Sequence, residues 1–418
     1  MTSAANHRPP SNGNDHAGPV ARNYMKINFR YVFAICMFTA LSVQVSGQSD
    51  SLRRYRVALF LPLYLDSAFD ASGNYRYEKN FPKFINPGLE FYEGAELAID
   101  SLRSEKVPLD IKLYDTRSVT QPVTQVIQSP DFKGTQLIIG FVTPPELYVL
   151  ANVAAQLKVP FINVNYPNDG GITNNPQFVI LNSTLRSHCE GIYRFMQRNY
   201  PLMGIIYFRK KGAQEDRLRS YFADIEKNTA SVPLKIKYVN LEEPVDITRL
   251  EPYLDSTQRN VCIVGSLDEN FGKAICSQIA SVNKTYAVKI FGMPTWDNIT
   301  DFSLPEYNDQ EIYYTTPFNN NAADSLVSSI QQYFKNKFYS RPSDMVFRGY
   351  ETMYHFGKLL QLHGDNLSGS LGEKKFKVFS DFDIEPVFLN KQTMTLDYFE
   401  NKKIYFIKKV NGNITAIY

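Results

Sequence analysis

Near-continuous apolar runs and amphipathic stretches of helical period follow one another from Tyr55 to the end of the chain. That alternation restricts the fold more than any other feature. The run at Tyr55, YRVALFL, is apolar on nearly every residue, as a strand covered on both faces requires. Asn86-Pro87-Gly88 then offers Asn as an N-cap and Pro at the first helical position. Leu89, Tyr92, Ala95, Leu97, Ala98, Ile99 and Leu102 follow at helical spacing. Strands are expected at 111–114, 136–140 and 160–164, and helices at 120–128 and 144–157. That βαβαβαβ order argues for a parallel, doubly wound sheet. The rhythm then restarts. Helices at 185–199, 213–227, 247–254 and 269–281 alternate with strands at 203–208, 234–239, 260–264 and 288–291. The chain therefore holds two α/β halves, joined near 179–184. A strand at 311–315 and helices at 324–339 and 344–363 come next. From Lys375 onward β signals dominate (KFKVF, EPVFL, KKIYFIKKV, NITAIY), and Asn411-Gly412 reads as a hairpin turn.

Residues 25–48 read MKINFRYVFAICMFTALSVQVSGQ. Lys26 and Arg30 give a short positive n-region before an apolar run from Tyr31 to Leu41, and Val45-Ser46-Gly47 supplies small or modest residues for cleavage. This predicts a secretory signal peptide at 25–47 and a periplasmic mature chain. The run falls short of the roughly 20 residues that span a bilayer; retention as an anchor is the alternative. Cys36 lies inside the run behind Ala34-Ile35, so no lipid anchor is expected. Residues 1–24 are polar and rich in Pro, Gly and Asn, and read as a disordered or untranslated extension, with Met25 as a second candidate start. No later apolar run is long enough to cross a membrane.

Lys+Arg 45 against Asp+Glu 42 leaves a net charge of +3, too balanced for a nucleic-acid binder. Past the signal, Cys189, Cys262 and Cys276 remain. An odd count is no disulfide framework, and buried free thiols are expected.

The ordered set of stretches resembles the type I periplasmic solute-binding proteins, the branched-chain amino-acid receptor group. RVALFLPL stands for the first strand and cleft loop, and GLEFYEGAELAIDSL for the first helix. IKLYDT is similar to the second strand. LIIGFVTPPELYVLANVAAQLKVPFINVN is similar to the strand, glycine, helix and Pro-led strand unit. FGMPTWDN resembles the return crossing. IYYTTPF and FRGYETMYHFGKLL resemble the last part of the N-terminal lobe. The resemblance implies an α/β fold of two doubly wound, Rossmann-like lobes joined by a three-crossover hinge. It places the N-terminal lobe at 54–180 plus 294–366 and the C-terminal lobe at 181–293 plus 367–418. It further implies a ligand in the cleft, beyond the carboxyl ends of the strands, hinge closure around it, and an ABC permease as partner.

The residue-level match departs from the amino-acid binders. They hold the ligand carboxylate with hydroxyls and backbone N–H groups after the third strand, at a helix N-terminus. Here Thr143 keeps one hydroxyl, Pro144 and Pro145 remove two donors, and Glu146 adds negative charge. The acidic residue expected to meet a ligand ammonium falls near Thr295, with Asp297 two residues on. An unpaired buried charge costs several kcal/mol, against about 8 kcal/mol for micromolar affinity. A free α-amino acid is therefore disfavoured; a different small polar ligand, a protein partner or an empty cleft stays open. Positions at expected strand ends are the binding candidates: Tyr64, Asp115, Arg117, Thr143, Asn163, Asn165, Tyr166, Arg209, Ser266, Asp268, Trp296, Asp297 and Tyr350.

Enzyme signatures are missing from the sequence: no HExxH, no paired CxxC, no P-loop and no GxSxG elbow. His355 and His363 lie two turns apart without a third ligand, and His188 and Glu190 would diverge on a helix. No metal or cofactor is expected. The reading is a solute-binding protein for a small polar, amino-acid-like or peptide ligand that serves an ABC importer. Its alternative is a non-transport descendant of the same fold, acting on envelope proteins as a sensor or cell-wall regulator.

Overall fold

The computed structural model describes residues 54–78, 81–319, 324–390 and 392–417. The expected signal peptide and the 1–24 extension lie outside them. Residues from Arg53 onward make one compact unit. Its first half runs β1 (Tyr55–Leu61), α1 (Leu65–Ala68), α2 (Asn86–Ser104), β2 (Leu109–Asp115), α3 (Val123–Val126), β3 (Leu137–Gly140), α4 (Pro144–Leu157), β4 (Phe161–Asn163) and β5 (Phe178–Ile180). The second half runs α5 (Leu185–Asn199), β6 (Gly204–Arg209), α6 (Ala213–Lys227), β7 (Lys235–Asn240), β8 (Asn260–Val264), α7 (Glu269–Ser281), β9 (Val288–Phe291) and β10 (Glu311–Thr316). After these come α8 (Ser325–Phe338), α9 (Asp344–His363), β11 (Ile384–Val387), β12 (Tyr398–Asn401), β13 (Tyr405–Val410) and β14 (Asn413–Ile417).

Two sheets result, ordered β11-β12-β5-β4-β3-β1-β2 and β14-β13-β10-β9-β8-β6-β7. Strands β1 to β5 and β6 to β10 repeat one pattern, parallel within each sheet. The antiparallel additions are β11 on β12, β13 on β10 and β14 on β13. Each sheet is apolar on both faces. Val57, Leu59 and Leu61 enter one core and Ala58 and Phe60 the other; Cys262 and Val264 do the same against Val261 and Ile263. This is why β1 and β8 read as unbroken apolar runs rather than alternating ones. Cys189, Cys262 and Cys276 are free and buried, as expected.

The chain crosses between the sheets three times: from β5 to α5, from β10 to α8, and from β12 to β13. Two of these crossings differ from the expected boundaries. β10, assigned above to the N-terminal lobe, pairs with β9 and β13 in the second sheet. β11 and β12, assigned to the C-terminal lobe, extend the first sheet through β5. The crossings therefore fall between β10 and α8 and between β12 and β13 rather than near 293 and 366. An apolar strand looks the same in sequence whichever sheet edge accepts it.

Smaller differences have local causes. α2 starts one residue early, with Ile85 at the cap position and Pro87 in the first turn. The helix expected at 247–254 is two short 3₁₀ turns. KFKVF forms turns, because Phe379 packs against Phe347 and Tyr350 on α9 instead of joining a strand edge. The Asn411-Gly412 turn is present, with both residues at positive φ (52° and 71°) between β13 and β14, as a type I′ hairpin needs.

Candidate functional site

Three loops follow the carboxyl ends of the first-lobe strands, and each is tied down by its own polar side chains. Asp115 ends β2, and its carboxylate accepts from the N–H groups of Leu63 (2.9 Å), Tyr64 (3.1 Å), Leu65 (2.8 Å) and Arg117 (2.9 Å). It thereby holds Tyr64 in the left-handed region at φ 57°, where Arg117 lies 5.9 Å from its ring. Asn163 is buried; its amide donates to the Tyr166 carbonyl at 2.7 Å and accepts from the Tyr166 N–H at 3.0 Å. Asn165 pairs with both backbone groups of Val142, at 2.8 and 2.9 Å.

The N-terminus of α4 already holds a carboxylate. Thr143 is its cap residue, and Glu146 folds back to accept the Thr143 N–H at 2.8 Å. Arg117 pairs with Glu146 at 3.1 and 3.2 Å. A helix N-terminus attracts anions; here the chain supplies its own.

The second lobe has a matching network. Arg209, 4% exposed, pairs with Asp216 at 2.5 Å. Ser266 donates to Glu215 at 2.6 Å. Asp268 caps α7 through the N–H groups of Asn270 and Phe271 and pairs with Lys210 at 2.5 Å. The Lys210 hydrogen bond chiefly holds its carboxyl below the usual carboxylate range, and the two capping N–H groups add to it.

Trp296 and Tyr350 do not face the cleft. Trp296 is fully buried beside Phe302, seated against Gly272 and Gly292 where a Cβ would strike its ring. A residue just past a strand end points inward when glycines open a slot for it. Tyr350 is 5% exposed, its hydroxyl 2.9 Å from Ser101 between α9 and α2. His355 and His363 meet different partners, the Phe376 carbonyl and Glu373.

At the crossovers both lobes contribute to a cavity of about 320 Å³, lined by Asn182, His188, Thr295, Asp297, Thr315 and Arg348 among others. Asp297 is the one candidate residue from the sequence that lines it. Arg348 approaches Asp297 at 3.8 Å and lies 4.2 Å from the centre of the Phe318 ring. Burial pushes the Asp297 carboxyl up, with Asp344 adding to it. His188, 2% exposed, hydrogen-bonds Thr315 at 2.8 Å, and burial takes its imidazole down to about 4. One turn along α9 from Arg348, Glu351 accepts the Ser380 N–H at 2.9 Å and is raised to about 7 by burial. A larger cavity of about 950 Å³ runs along α5 and α6, and Tyr166 lines it together with Arg217, Tyr221 and Phe388. A third, about 570 Å³, includes Arg54, Thr135 and Pro160, at the amino ends of first-sheet strands. Ligands in such sheets sit beyond the opposite ends.

No protein-family model and no curated protein matches the chain. Solved structures do. A protein from Rhodospirillum rubrum ascribed to a branched-chain amino-acid ABC transporter aligns at TM-score 0.63 and 12% identity, covering 87% of this chain and 100% of its own. An ABC transporter substrate-binding protein from Desulfitobacterium hafniense, in complex with Leu, aligns at 0.54 and 12%, covering 87% and 100%. A branched-chain amino-acid ABC transporter periplasmic ligand-binding protein from Burkholderia xenovorans aligns at 0.56 and 14%, covering 87% and 95%. The chain has the type I periplasmic binding protein fold. The 320 Å³ cavity lies where α5 and the turns after β9 and β10 meet α9. His188 and Arg348 line it, and sequence reasoning did not select them as binding residues. The signal for Arg348 was a lysine-free, arginine-bearing turn set behind two apolar residues, VFRGY, on a helix otherwise buried along most of its length.

The buried titratable pair gives opposite pH slopes. His188 is neutral in the fold, and the unfolded chain takes its proton near 6.5, so its contribution falls as pH drops from 6.5 toward 4, by up to about 1.4 kcal/mol per pH unit. Glu351 is protonated in the fold up to about 7, so its contribution is lost as pH rises from 4.5 through 7. The slopes offset between 4.5 and 6.5. Denaturant unfolding across pH should show His188→Gln removing the acid-side loss and Glu351→Gln removing the loss toward neutrality. Parallel profiles for all three proteins would refute both assignments.

Proposed function

We propose that this protein is an extracytoplasmic solute-binding protein, in the periplasm, that captures a small polar ligand, amino-acid-like or a short peptide, between its lobes and presents it to an ABC importer. The observation that carries this reading is the cavity built jointly by both lobes at the three crossovers, lined by polar groups with a cation and an anion side by side. Its volume is at the small end of the usual 300–1,000 Å³ range. The similar structures described as ABC transporter substrate-binding proteins support the same reading. Among the described residues no helix is long and apolar enough to cross a membrane.

The self-filled N-terminus of α4 favours a second reading, a descendant of the fold that contacts envelope proteins instead of carrying a solute. A thermal-shift screen against amino acids, short peptides and sugars separates the two. A receptor gains about 2.7 kcal/mol at 100 times Kd. No stabilisation by any solute, together with co-purification of envelope proteins, would favour the second reading over the first.

A further inference from the structure

The proposed function leaves the chemistry of the solute open, and the charges around the hinge cavity narrow it. An anionic ligand group needs a donor set that is not already used. At α4 the set is largely used: Glu146 takes the Thr143 N–H and both terminal nitrogens of Arg117, and of that guanidinium only the buried Nε is left over among the described residues. Lys210 and Arg209 on the second lobe are held at 2.5 Å by Asp268 and Asp216. Arg348 differs. Among the described residues its ion contact to Asp297 is 3.8 Å long, with Asp344 also acting on it, whereas a charge-assisted N–H···O bond closes to roughly 2.7–2.9 Å. Among the described residues, its buried Nε meets no hydrogen-bond partner, and neither does the buried hydroxyl of Thr295 in the same cavity wall. The Phe318 ring lies against the guanidinium, its centre 4.2 Å from Cζ.

We propose that Arg348 anchors the carboxylate of a small, singly charged organic acid in the hinge cavity, with Thr295 as a second donor. This rests on the solute-binding reading and adds the ligand's charge class to it. A planar guanidinium offers two parallel N–H groups that match a carboxylate. Unpaired buried donors are costly, and a carboxylate satisfies them. Asp297 lies beside the anchor and Asp344 near it, and each repels a second negative charge on the ligand. Lys409, whose ammonium donates to the Ile299 carbonyl at 3.1 Å, partly offsets Asp297 from behind. A monoanion with a compact body therefore fits, and a dianion does not.

The test pairs acids with their neutral amides by calorimetry and thermal shift: propionate with propionamide, lactate with lactamide, L-leucine with L-leucinamide, and succinate as the dianion. At least one monocarboxylate should bind well above its amide and above succinate. Arg348→Met should then weaken it about 10- to 100-fold. Thr295→Ala should weaken it by about 2- to 10-fold. Arg348→Lys keeps the charge but loses the fork; it should weaken binding while circular dichroism stays native, and it decides the matter if the Met variant fails to fold. Equal binding of acid and amide, or undiminished acid binding by Arg348→Lys and Arg348→Met, overturns the anchor and leaves the solute-binding reading standing. If neither these acids nor the amino acids, peptides and sugars of the wider screen stabilise the protein, both fall together.

Discussion

Gly94→Ala is expected to destabilise the protein by about 3 kcal/mol or more, the upper end of what overpacking usually costs. Gly94 on α2 and Gly349 on α9 face each other where the two helices cross. A Cβ on Gly94 would stand 1.9 Å from the Val346 carbonyl oxygen, and one on Gly349 would stand 2.1 Å from the Phe91 carbonyl oxygen. Both obstacles are backbone, so no side-chain rotation relieves them. The helices must separate, and the core they enclose, including Phe91, Ala95, Val346 and Met353, loses contact. Against a total stability of about 5–15 kcal/mol, that is a large fraction. Denaturant unfolding measures it directly. Because the two glycines share one crossing, the double variant should cost less than the sum of the singles. A Gly94→Ala protein within 0.5 kcal/mol of the parent, on the order of an ordinary surface change, would mean that the helices do not approach this closely.

Glu400→Ala comes next, with an expected loss of about 3 kcal/mol, the lower end of the range for breaking a buried pair. Glu400 lies next to the end of β12 in the first lobe, is 1% exposed, and binds the start of α5 in the second. Its carboxylate accepts the Thr184 N–H at 2.8 Å and the Ser187 hydroxyl at 2.6 Å, and pairs with Lys402 at 2.5 Å. Ser183 and Asn401 add a bond between the same two crossovers at 2.6 Å. Burial alone would raise this carboxyl, but Lys402, Ser187 and Thr184 outweigh it and hold it below its ordinary value. Its contribution is therefore present above about pH 4.5 and is lost as acid protonates it. Lys402 keeps a quarter of its side chain exposed, so its ammonium can rehydrate and the cost stays near the lower bound. Glu400→Gln should cost less, since it keeps one acceptor. Equal stability of Glu400→Ala and parent at pH 7 would show that this staple carries no load.

Local signals in the sequence reached the helices and most strands, and stopped at which sheet each strand joins. Helices α4, α5, α7 and α9 lie close to the ranges expected from the sequence, and Thr143, Thr184, Asp268 and Ser343 stand at their caps. Strands β5 and β12 escaped notice because three or four residues give no period to count. Which sheet β10, β11 and β12 join is decided by a partner far along the chain, which no local pattern records. The candidate site shows the same division. Strand-end positions such as Asp115, Asn163 and Asp268 were legible. Their occupation by backbone N–H groups or lysine was not, since that depends on loops meeting in space. Trp296 looked free to enter the cleft until Gly272 and Gly292 were seen to frame it.

The account stands on two lobes that close over a solute at the crossovers. Pulsed electron spin resonance between labels at Val119→Cys, after β2, and Lys211→Cys, after β6, reads that closure in the chain from Arg54 onward, since both positions are exposed and Cys189, Cys262 and Cys276 are buried. A solute that stabilises the protein in the thermal screen should shorten the distance and narrow its distribution. An unchanged distance with that solute bound would contradict closure at the hinge.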